Sequence, residues 1–124
     1  MDRKLIEQYE HGGDRLRQAV QGLTHDDLHA FPVPGTWSIQ QIVIHVLDSD
    51  LVTTDRIKRV IAEETPTLLA FDENKWAKHL AYDFRSAEDA VALFGLNRKD
   101  MAEALRRLPD GRSPAPARTP SAAR

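Results

Sequence analysis

The feature that most constrains the fold is a run of 26 residues, 39–64, that contains neither glycine nor proline. Ser38 stands directly before the run, where its hydroxyl can accept hydrogen bonds from the free amides of a first helical turn. A helix of this length extends about 39 Å at about 1.5 Å per residue, which is enough to cross a small bundle. Pro66 ends it. The sequence therefore predicts one long central helix.

Apolar residues in this run recur at helical spacing. On a wheel that advances about 100° per residue, the following fall within one broad sector: Ile39, Ile42, Val43, Val46, Leu47, Ile57, Val60 and Ile61. We expect this sector to be buried along the helix. Ile44 and Leu51 lie outside it, which indicates that the first half of the helix sits between neighbours.

Two other segments, residues 2–22 and 86–108, also show helical periodicity. Gly12 and Gly13 interrupt the first and predict a bend or a close contact between helices. Ser86 opens the second as a helix cap. Shorter helical turns are expected near 24–30, capped by Thr24, and near 72–80, capped by Asp72, and the strand signal is weak throughout. The expected core is Leu16, Val20, Ile39, Ile42, Val46, Ile57, Ile61, Phe94, Met101 and Leu105.

Composition excludes several classes of function. The chain carries 17 basic and 19 acidic residues, so it lacks the concentrated positive charge that binding to nucleic acid requires. It has no cysteine, which excludes disulfides, thiolate zinc sites, iron–sulfur clusters and a cysteine nucleophile. No stretch approaches the roughly 18 apolar residues of a membrane span. We expect a cytoplasmic protein that binds neither nucleic acid nor membrane.

The end of the chain differs in composition from the rest. Residues 109–124 contain four of the seven prolines, three arginines and no aromatic or large aliphatic side chain. Such a segment cannot bury enough apolar surface to offset the entropy lost on ordering. We therefore expect one helical domain over residues 1–108 and a disordered tail over 109–124.

The five histidines are the candidate metal ligands: His11, His25, His29, His45 and His79. His25 and His29 are four residues apart in a short capped turn, where either a metal pair or ordinary exposed histidines fit. His45 lies on a polar stripe of the long helix, which is either a ligand position or a solvated face. Asp48, one turn away, either orients the imidazole or is a surface aspartate. Trp37 and Trp76 are interpreted as core or loop anchors.

The order of these segments resembles a known family. The residues that carry the likeness are Gly22-Leu23-Thr24, Asp27-Leu28, Pro34-Gly35-Thr36-Trp37-Ser38-Ile39 and Ile42-Val43-Ile44-His45-Val46-Leu47-Asp48-Ser49. They resemble the DinB-like (YfiT-like) family of metal-dependent enzymes over about residues 5–108. The resemblance implies an all-α, up-and-down bundle of four main helices, commonly dimeric, with one nickel or zinc ion held by three histidines. Characterised members include thiol-dependent transferases and isomerases, and the resemblance does not imply DNA binding.

The first metal histidine of that family matches His45. The other two come from a fourth helix with an HxxxH pattern, whereas this chain has no histidine after His79. Its last residues, GRSPAPARTPSAAR, have a composition that out-of-frame translation of GC-rich DNA often yields. We therefore expect a truncated or frameshifted member in which the fourth helix is missing or replaced, and in which metal binding is weak or absent.

The resemblance and the residues together lead to two functional hypotheses. The first is a divalent-metal-dependent enzyme of the thiol-dependent transferase or hydrolase type, or an inactive remnant of one, acting on a small-molecule or thiol substrate. The second is a non-catalytic helical module for dimerisation or small-molecule binding. Whether His79 or His11 joins His45 stays open at this stage. A homodimer is expected in either case, because a bundle without its fourth helix leaves an apolar groove.

Overall fold

The structure is a computed structural model that describes residues 2–109, and these residues form helices without any β-strand. The helices are α1 (Arg3–Glu10), α2 (Gly12–Val20), α3 (His25–His29), α4 (Ile39–Ala62), α5 (Glu73–His79) and α6 (Ala87–Arg106). The all-α prediction is confirmed. None of the helices in this range has the length and hydropathy needed to cross a membrane. The expected disordered tail lies outside the described residues from position 110 onward.

Side chains cap the helices where the sequence predicts starts. The Ser38 hydroxyl accepts a hydrogen bond from the Gln41 amide at 3.1 Å, and the Gln41 side chain accepts one from the Ser38 amide at 3.0 Å. Thr24 forms a similar reciprocal pair at the start of α3. Asp72 and Ser86 accept from backbone amides at the starts of α5 and α6. Each cap satisfies donors that the first turn leaves free.

The glycine pair near the N-terminus has both predicted consequences. The chain breaks between α1 and α2 at His11, so the single helix expected over 2–22 is two helices. Gly13 also lies against α6, and a Cβ atom at Gly13 would sit only 2.7 Å from the Cα of Gly95. The absence of a side chain at Gly13 therefore allows α2 and α6 to approach closely.

Helix α6 is the centre of the arrangement. It packs against α4 and against both α1 and α2, while α3 and α5 pack on α4. Within residues 2–109 the backbones of α1 and α2 do not approach that of α4, and only side chains of these helices share the core clusters. α4 therefore joins the first helices of the chain mainly through α6.

The core confirms the predicted positions on α6 and corrects the phase of α4. Buried residues form two clusters, one with Val43, Ile44, Leu47, Tyr82, Ala90, Val91 and Phe94, the other with Ile6, Met101, Ala102 and Leu105. Leu16, Val20, Ile39, Val46, Ile57 and Ile61 are partly buried at the edges of these clusters. Ile44 is fully buried, whereas Ile42 is 43% exposed and Leu51 is 40% exposed. The expected burial of Ile42 is therefore wrong.

The phase error has a physical cause in buried polar residues on α4. Asp48, Asp50 and Thr54 lie on the buried side of this helix, so polarity does not mark its solvent face. Asp50 accepts hydrogen bonds from Arg98 at 2.9 Å and Asn97 at 2.9 Å, both on α6. A buried carboxylate is tolerated when it is paired and hydrogen-bonded in this way. The helix wheel, which treats charge as exposure, could not show it.

Candidate metal site around His45

His45 lies on α4 with its side chain 23% exposed. Its ring meets Trp37 edge-on, with ring centroids 5.0 Å apart. The Ser49 hydroxyl, one turn along α4, lies 3.3 Å from the ring nitrogens. A carboxylate oxygen of Glu73 lies 3.9 Å from Nε2. The imidazole is therefore held by an aromatic edge and a hydroxyl, and it faces one carboxylate.

Glu73 is the residue that the sequence analysis missed. It is the first residue of α5, whose start is fixed by the Asp72 side chain. The sequence indicated that cap, and so placed Glu73 at a helix start, but nothing in it showed that α5 packs on α4. Only the tertiary contact between these helices brings the carboxylate to His45. The Glu73 side chain is 60% exposed and so remains accessible at the surface.

Asp48 is buried and is paired with residues outside α4. It is 6% exposed, so it is not a surface aspartate. Both of its oxygens are occupied: Arg85 donates to them at 2.8 and 2.9 Å, and the Tyr82 hydroxyl donates at 2.8 Å. Oδ2 accepts two of these hydrogen bonds and Oδ1 accepts one, so Oδ2 in particular is a poor partner for the His45 ring or for a metal-bound water. The prediction of a surface aspartate is therefore wrong, and the hydrogen-bond partners of Asp48 are Arg85 and Tyr82 rather than the His45 ring.

The electrostatics of this group follow from its burial and its pairing. Burial raises the pKa of Asp48, but the hydrogen bonds from Arg85 and Tyr82 and the charge of Arg85 outweigh that effect, so the pKa lies below its ordinary value. Burial, and then the hydrogen bond to the Asp48 carboxylate, raise the pKa of Tyr82. The Asp48 carboxylate is ionised and the Tyr82 phenol is neutral near pH 7. The pair is therefore a fixed structural unit rather than a proton donor and acceptor in exchange with solvent.

This unit supports His45 indirectly. Tyr82 meets Trp37 edge-on with centroids 6.3 Å apart, and Trp37 meets His45 in the same way. Gln40 donates to the carbonyls of Tyr82 at 2.9 Å and Arg85 at 2.6 Å. Side chains thus hold the turn between α5 and α6 against α4. Tyr82 of this turn packs against Trp37, which in turn packs against His45. The anchor role predicted for Trp37 and Trp76 is confirmed, since both pack against the first core cluster.

The other histidines do not extend the site. The rings of His25 and His29 stack with centroids 4.1 Å apart, and both nitrogens of His29 face backbone carbonyls, those of His25 at 2.9 Å and Asp83 at 3.1 Å. These carbonyls raise the pKa of His29, the carbonyl of His25 most. The nitrogens of His29 therefore face backbone acceptors, and within residues 2–109 the pair joins no third His, Asp or Glu side chain that could complete a metal site. His11 instead faces Asp14 at 3.3 Å.

The donor set does not make a three-ligand metal site. In the part of the chain that the structure describes, residues 2–109, no three side chains of His, Asp or Glu come together closely enough to hold an ion. His45 with Glu73 supplies two candidate donors, and neither His11 nor His79 adds a third. The residues present therefore do not fit the three-histidine site that the family resemblance implies.

The described residues form an all-helical bundle whose long helix carries a partly buried histidine, and this chain can be compared with known protein families. The family model described as the DinB superfamily matches residues 8–124, and the chain belongs to that superfamily. The DinB-like resemblance of the sequence is confirmed.

Relatives of known sequence and structure agree with this assignment. The chain is 39% identical over 74 residues to a protein of Oceanobacillus iheyensis named a putative metal-dependent hydrolase, covering 60% of this chain and 41% of that protein. It is 33% identical over 75 residues to YfiT of Bacillus subtilis, which is also named a putative metal-dependent hydrolase. This alignment covers 60% of this chain and 42% of YfiT. These alignments span about two fifths of the relatives' length.

The solved structure of YfiT from Bacillus subtilis superimposes with a TM-score of 0.80 at 29% identity. The match covers 86% of this chain and 61% of YfiT. That protein is described as a probable metal-dependent hydrolase with an unusual four-helix bundle topology. The likeness confirms the all-α bundle architecture, and the remainder of YfiT lies beyond the matched part.

Proposed function

We propose that this chain is a DinB domain of the divalent-metal-dependent hydrolase type, in which His45 is a metal ligand and nickel or zinc is the ion. The observation that carries the proposal is the setting of His45, whose Nε2 faces the Glu73 carboxylate at 3.9 Å while the ring is partly exposed. Imidazole and carboxylate are ligands that zinc accepts in catalytic sites. The names of the relatives, putative metal-dependent hydrolases, support the same chemistry.

The site is incomplete within residues 2–109. Catalytic zinc sites usually have three protein ligands, which fix the geometry and lower the pKa of bound water. This chain offers His45 and Glu73, and the sequence after His79 contains no further histidine. A third ligand would have to come from a second chain or from outside residues 2–109. We therefore expect the 124-residue chain alone to bind metal weakly and to show little metal-dependent turnover.

The chain's own residues would position the histidine rather than react. The Trp37 edge and the Ser49 hydroxyl restrict rotation of the His45 ring. Asp48, Arg85 and Tyr82 hold the turn that backs Trp37. Residues behind a ligand commonly set its orientation in this way, and their loss typically weakens metal affinity.

The alternative function is a non-catalytic helical module. The observation that favours it is the missing third ligand within residues 2–109. On this proposal His45 is a half-buried polar residue, and the fold serves dimerisation or small-molecule binding. The two functions differ in whether a divalent ion recognises His45 at all.

A metal titration followed by NMR separates the two functions. Zinc is added to the purified chain while the imidazole resonances of all five histidines are recorded. We expect a saturable shift at His45, abolished in His45→Ala, weakened in Glu73→Gln and unchanged in the control His11→Ala, whose histidine lies elsewhere. A zinc response that is the same in wild type and in His45→Ala would contradict the metal proposal and favour the non-catalytic module.

A further inference from the structure

A cleft lies between α4 and α5, about one helical turn further along α4 than His45. It has a volume of about 610 Å³ and is closed on one side by the segment before α5. Leu51 and Val52 of α4 contribute apolar surface, and Phe71 and Trp76 contribute an aromatic pair with ring centroids 4.4 Å apart. Small-molecule sites typically have about 300–1,000 Å³ and mostly apolar linings. Its size and lining are those of a small-molecule site.

The cleft lies next to the candidate metal site along α4 and α5, although neither His45 nor Glu73 lines it. Asp48 and Val52, which line it, follow His45 by three and seven residues on α4. Trp76, on the opposite wall, follows Glu73 by three residues on α5. Residues at these spacings lie on the same face of a helix. A molecule that extends from the cleft by about one helical turn, roughly 5 Å along the seam between α4 and α5, would meet His45 and Glu73.

Residues 69–72, which precede α5 and form one wall of the cleft, are held by hydrogen bonds within the chain. Arg56 donates two hydrogen bonds to the carbonyl of Leu69, at 2.7 and 3.3 Å. Asp72 accepts from the Lys75 amide at 3.1 Å and so fixes the start of α5. Phe71 lies between these two anchors and contacts Trp76. The cleft is a preformed feature of the fold, as most small-molecule sites are.

The charges around the cleft favour an uncharged occupant. Asp55, Asp72 and Lys75 line it and bring charges of both signs, and Asp55 is already paired with Arg59 at 2.9 Å. Asp48 is neutralised by Arg85. No concentrated charge of one sign remains to select an ion. The apolar surfaces of Leu51, Val52 and Trp76 are therefore the selective element.

We propose that this cleft binds an uncharged aryl group of a small-molecule substrate, and that the substrate's polar group, an amide or ester, lies at His45 and Glu73. The proposal rests on the proposed function for the role of the polar end. The binding of the ring depends only on α4, α5 and residues 69–72. Aryl amides and esters are thus the substrate class that we propose, which the relatives' names leave unspecified.

Titration with benzamide tests the proposal on metal-free protein. Benzamide has the ring and an amide, and acetamide has the amide alone. We expect benzamide to shift backbone amide resonances of 51–52 and 69–76 saturably, and acetamide to leave them unchanged. Intermolecular NOEs should place the benzamide ring at Trp76 and its amide near the His45 ring.

A matched pair of variants locates the binding. Leu51→Lys places a charge in the apolar lining at a position already 40% exposed, so the fold tolerates it. Leu93→Lys makes the same change on α6, where Leu93 is 48% exposed and does not line the cleft. We expect benzamide affinity to fall at least about tenfold in the first and to stay unchanged in the second.

Three results would overturn the proposal. They are benzamide shifts spread over α6, equal binding by wild type and Leu51→Lys, and NOEs that place the amide away from His45. The result is independent of the metal titration, because no metal is present. Benzamide binding together with failure of zinc to shift His45 would leave the ring site established and refute the metal function alone.

Discussion

At the scale of single residues, the surroundings of His45 come from three separate parts of the chain. Trp37 precedes α4, Ser49 follows on the same helix, and Glu73 begins α5. His45 could be selected from the sequence because it is the histidine on the long helix and matches the family pattern. Glu73 could not, since its contact with His45 is set by how two helices pack. Local spacing indicates a candidate residue but not its distant partners.

Asp48 is a second residue whose distant partner could not be predicted from local spacing. Its position three residues after His45 indicated a partner for the imidazole, but its actual partner Arg85 lies 37 residues further along the chain. A bidentate arginine pair is a stronger interaction than a contact with an imidazole one turn away. No spacing rule within α4 could have shown that pair.

Removing the charge of Asp48 should destabilise the domain. We expect Asp48→Asn to cost about 3 kcal/mol, near the lower end for breaking a buried pair, because Arg85 keeps 33% of its side chain exposed. The control Asp55→Asn disrupts an exposed pair with Arg59 and should cost less than about 1 kcal/mol. Urea unfolding measures both. Equal costs for the two variants would refute the structural role of Asp48.

The cost of Asp48→Asn should depend on pH. The folded-state pKa of Asp48 is below its ordinary value, so its stabilisation is fully present above the unfolded pKa of about 3.9 and is lost as pH falls through the folded pKa. The difference in unfolding free energy between wild type and variant should therefore be constant near neutral pH and shrink below about pH 4. A difference that grows on acidification would contradict the assignment.

At the scale of helices, the sequence indicated most starts correctly. Ser38, Thr24, Asp72 and Ser86 cap helices as expected because capping depends on residues three apart, which a sequence shows directly. The buried face of α4 was misplaced by about one position. That face is set by α6 and by the buried pairs of Asp48 and Asp50, which a wheel of α4 alone does not contain.

The corrected phase of α4 can be measured with two isoleucines. Ile44 is fully buried in the first core cluster, while Ile42, two positions earlier, is 43% exposed. We expect Ile44→Ala to lower the unfolding free energy by about 2–5 kcal/mol and Ile42→Ala by less than about 1 kcal/mol. Thermal or urea unfolding gives both values. A larger loss at Ile42 would restore the phase expected from the sequence.

The contact between α2 and α6 predicts opposite effects for two glycines. A methyl group at Gly13 meets the Gly95 backbone at 2.7 Å, whereas one at Gly95 finds the Cα of Gly13 at 4.0 Å, an ordinary contact. Gly13→Ala should therefore destabilise by about 1–3 kcal/mol despite alanine's better helix propensity. Gly95→Ala should be neutral or stabilise by up to about 1 kcal/mol. If Gly13→Ala stabilises, the close approach is refuted.

At the scale of the whole molecule, the bundle has apolar side chains at its surface. Leu96 on α6 is 63% exposed beside a groove between α2, α3 and α6 that Val20, Leu23 and Val91 also line. The groove's edge carries Asp14, Arg17, Glu88 and Lys99. Charges of both signs suit a two-fold contact between identical surfaces. We propose that a second copy of the chain covers this groove.

Light scattering over a range of concentrations tests the dimer. We expect the wild-type chain to shift toward twice its monomer mass as concentration rises, and Leu96→Lys to remain monomeric. Leu5→Lys is the control, since Leu5 is 58% exposed and lies outside this groove. A wild-type chain that stays monomeric at high concentration would refute self-association.

The central claim is that His45 belongs to a metal site which this chain does not complete. Its most direct measurement is a zinc titration against a competing chelator, with the 124-residue chain and with a version extended by a fourth helix that carries an HxxxH pair. We expect the chain alone to lose zinc to the chelator and the extended version to hold one ion tightly, except when it carries His45→Ala. Tight one-to-one binding by the 124-residue chain, lost in His45→Ala, would contradict the claim and show that its own residues complete the site.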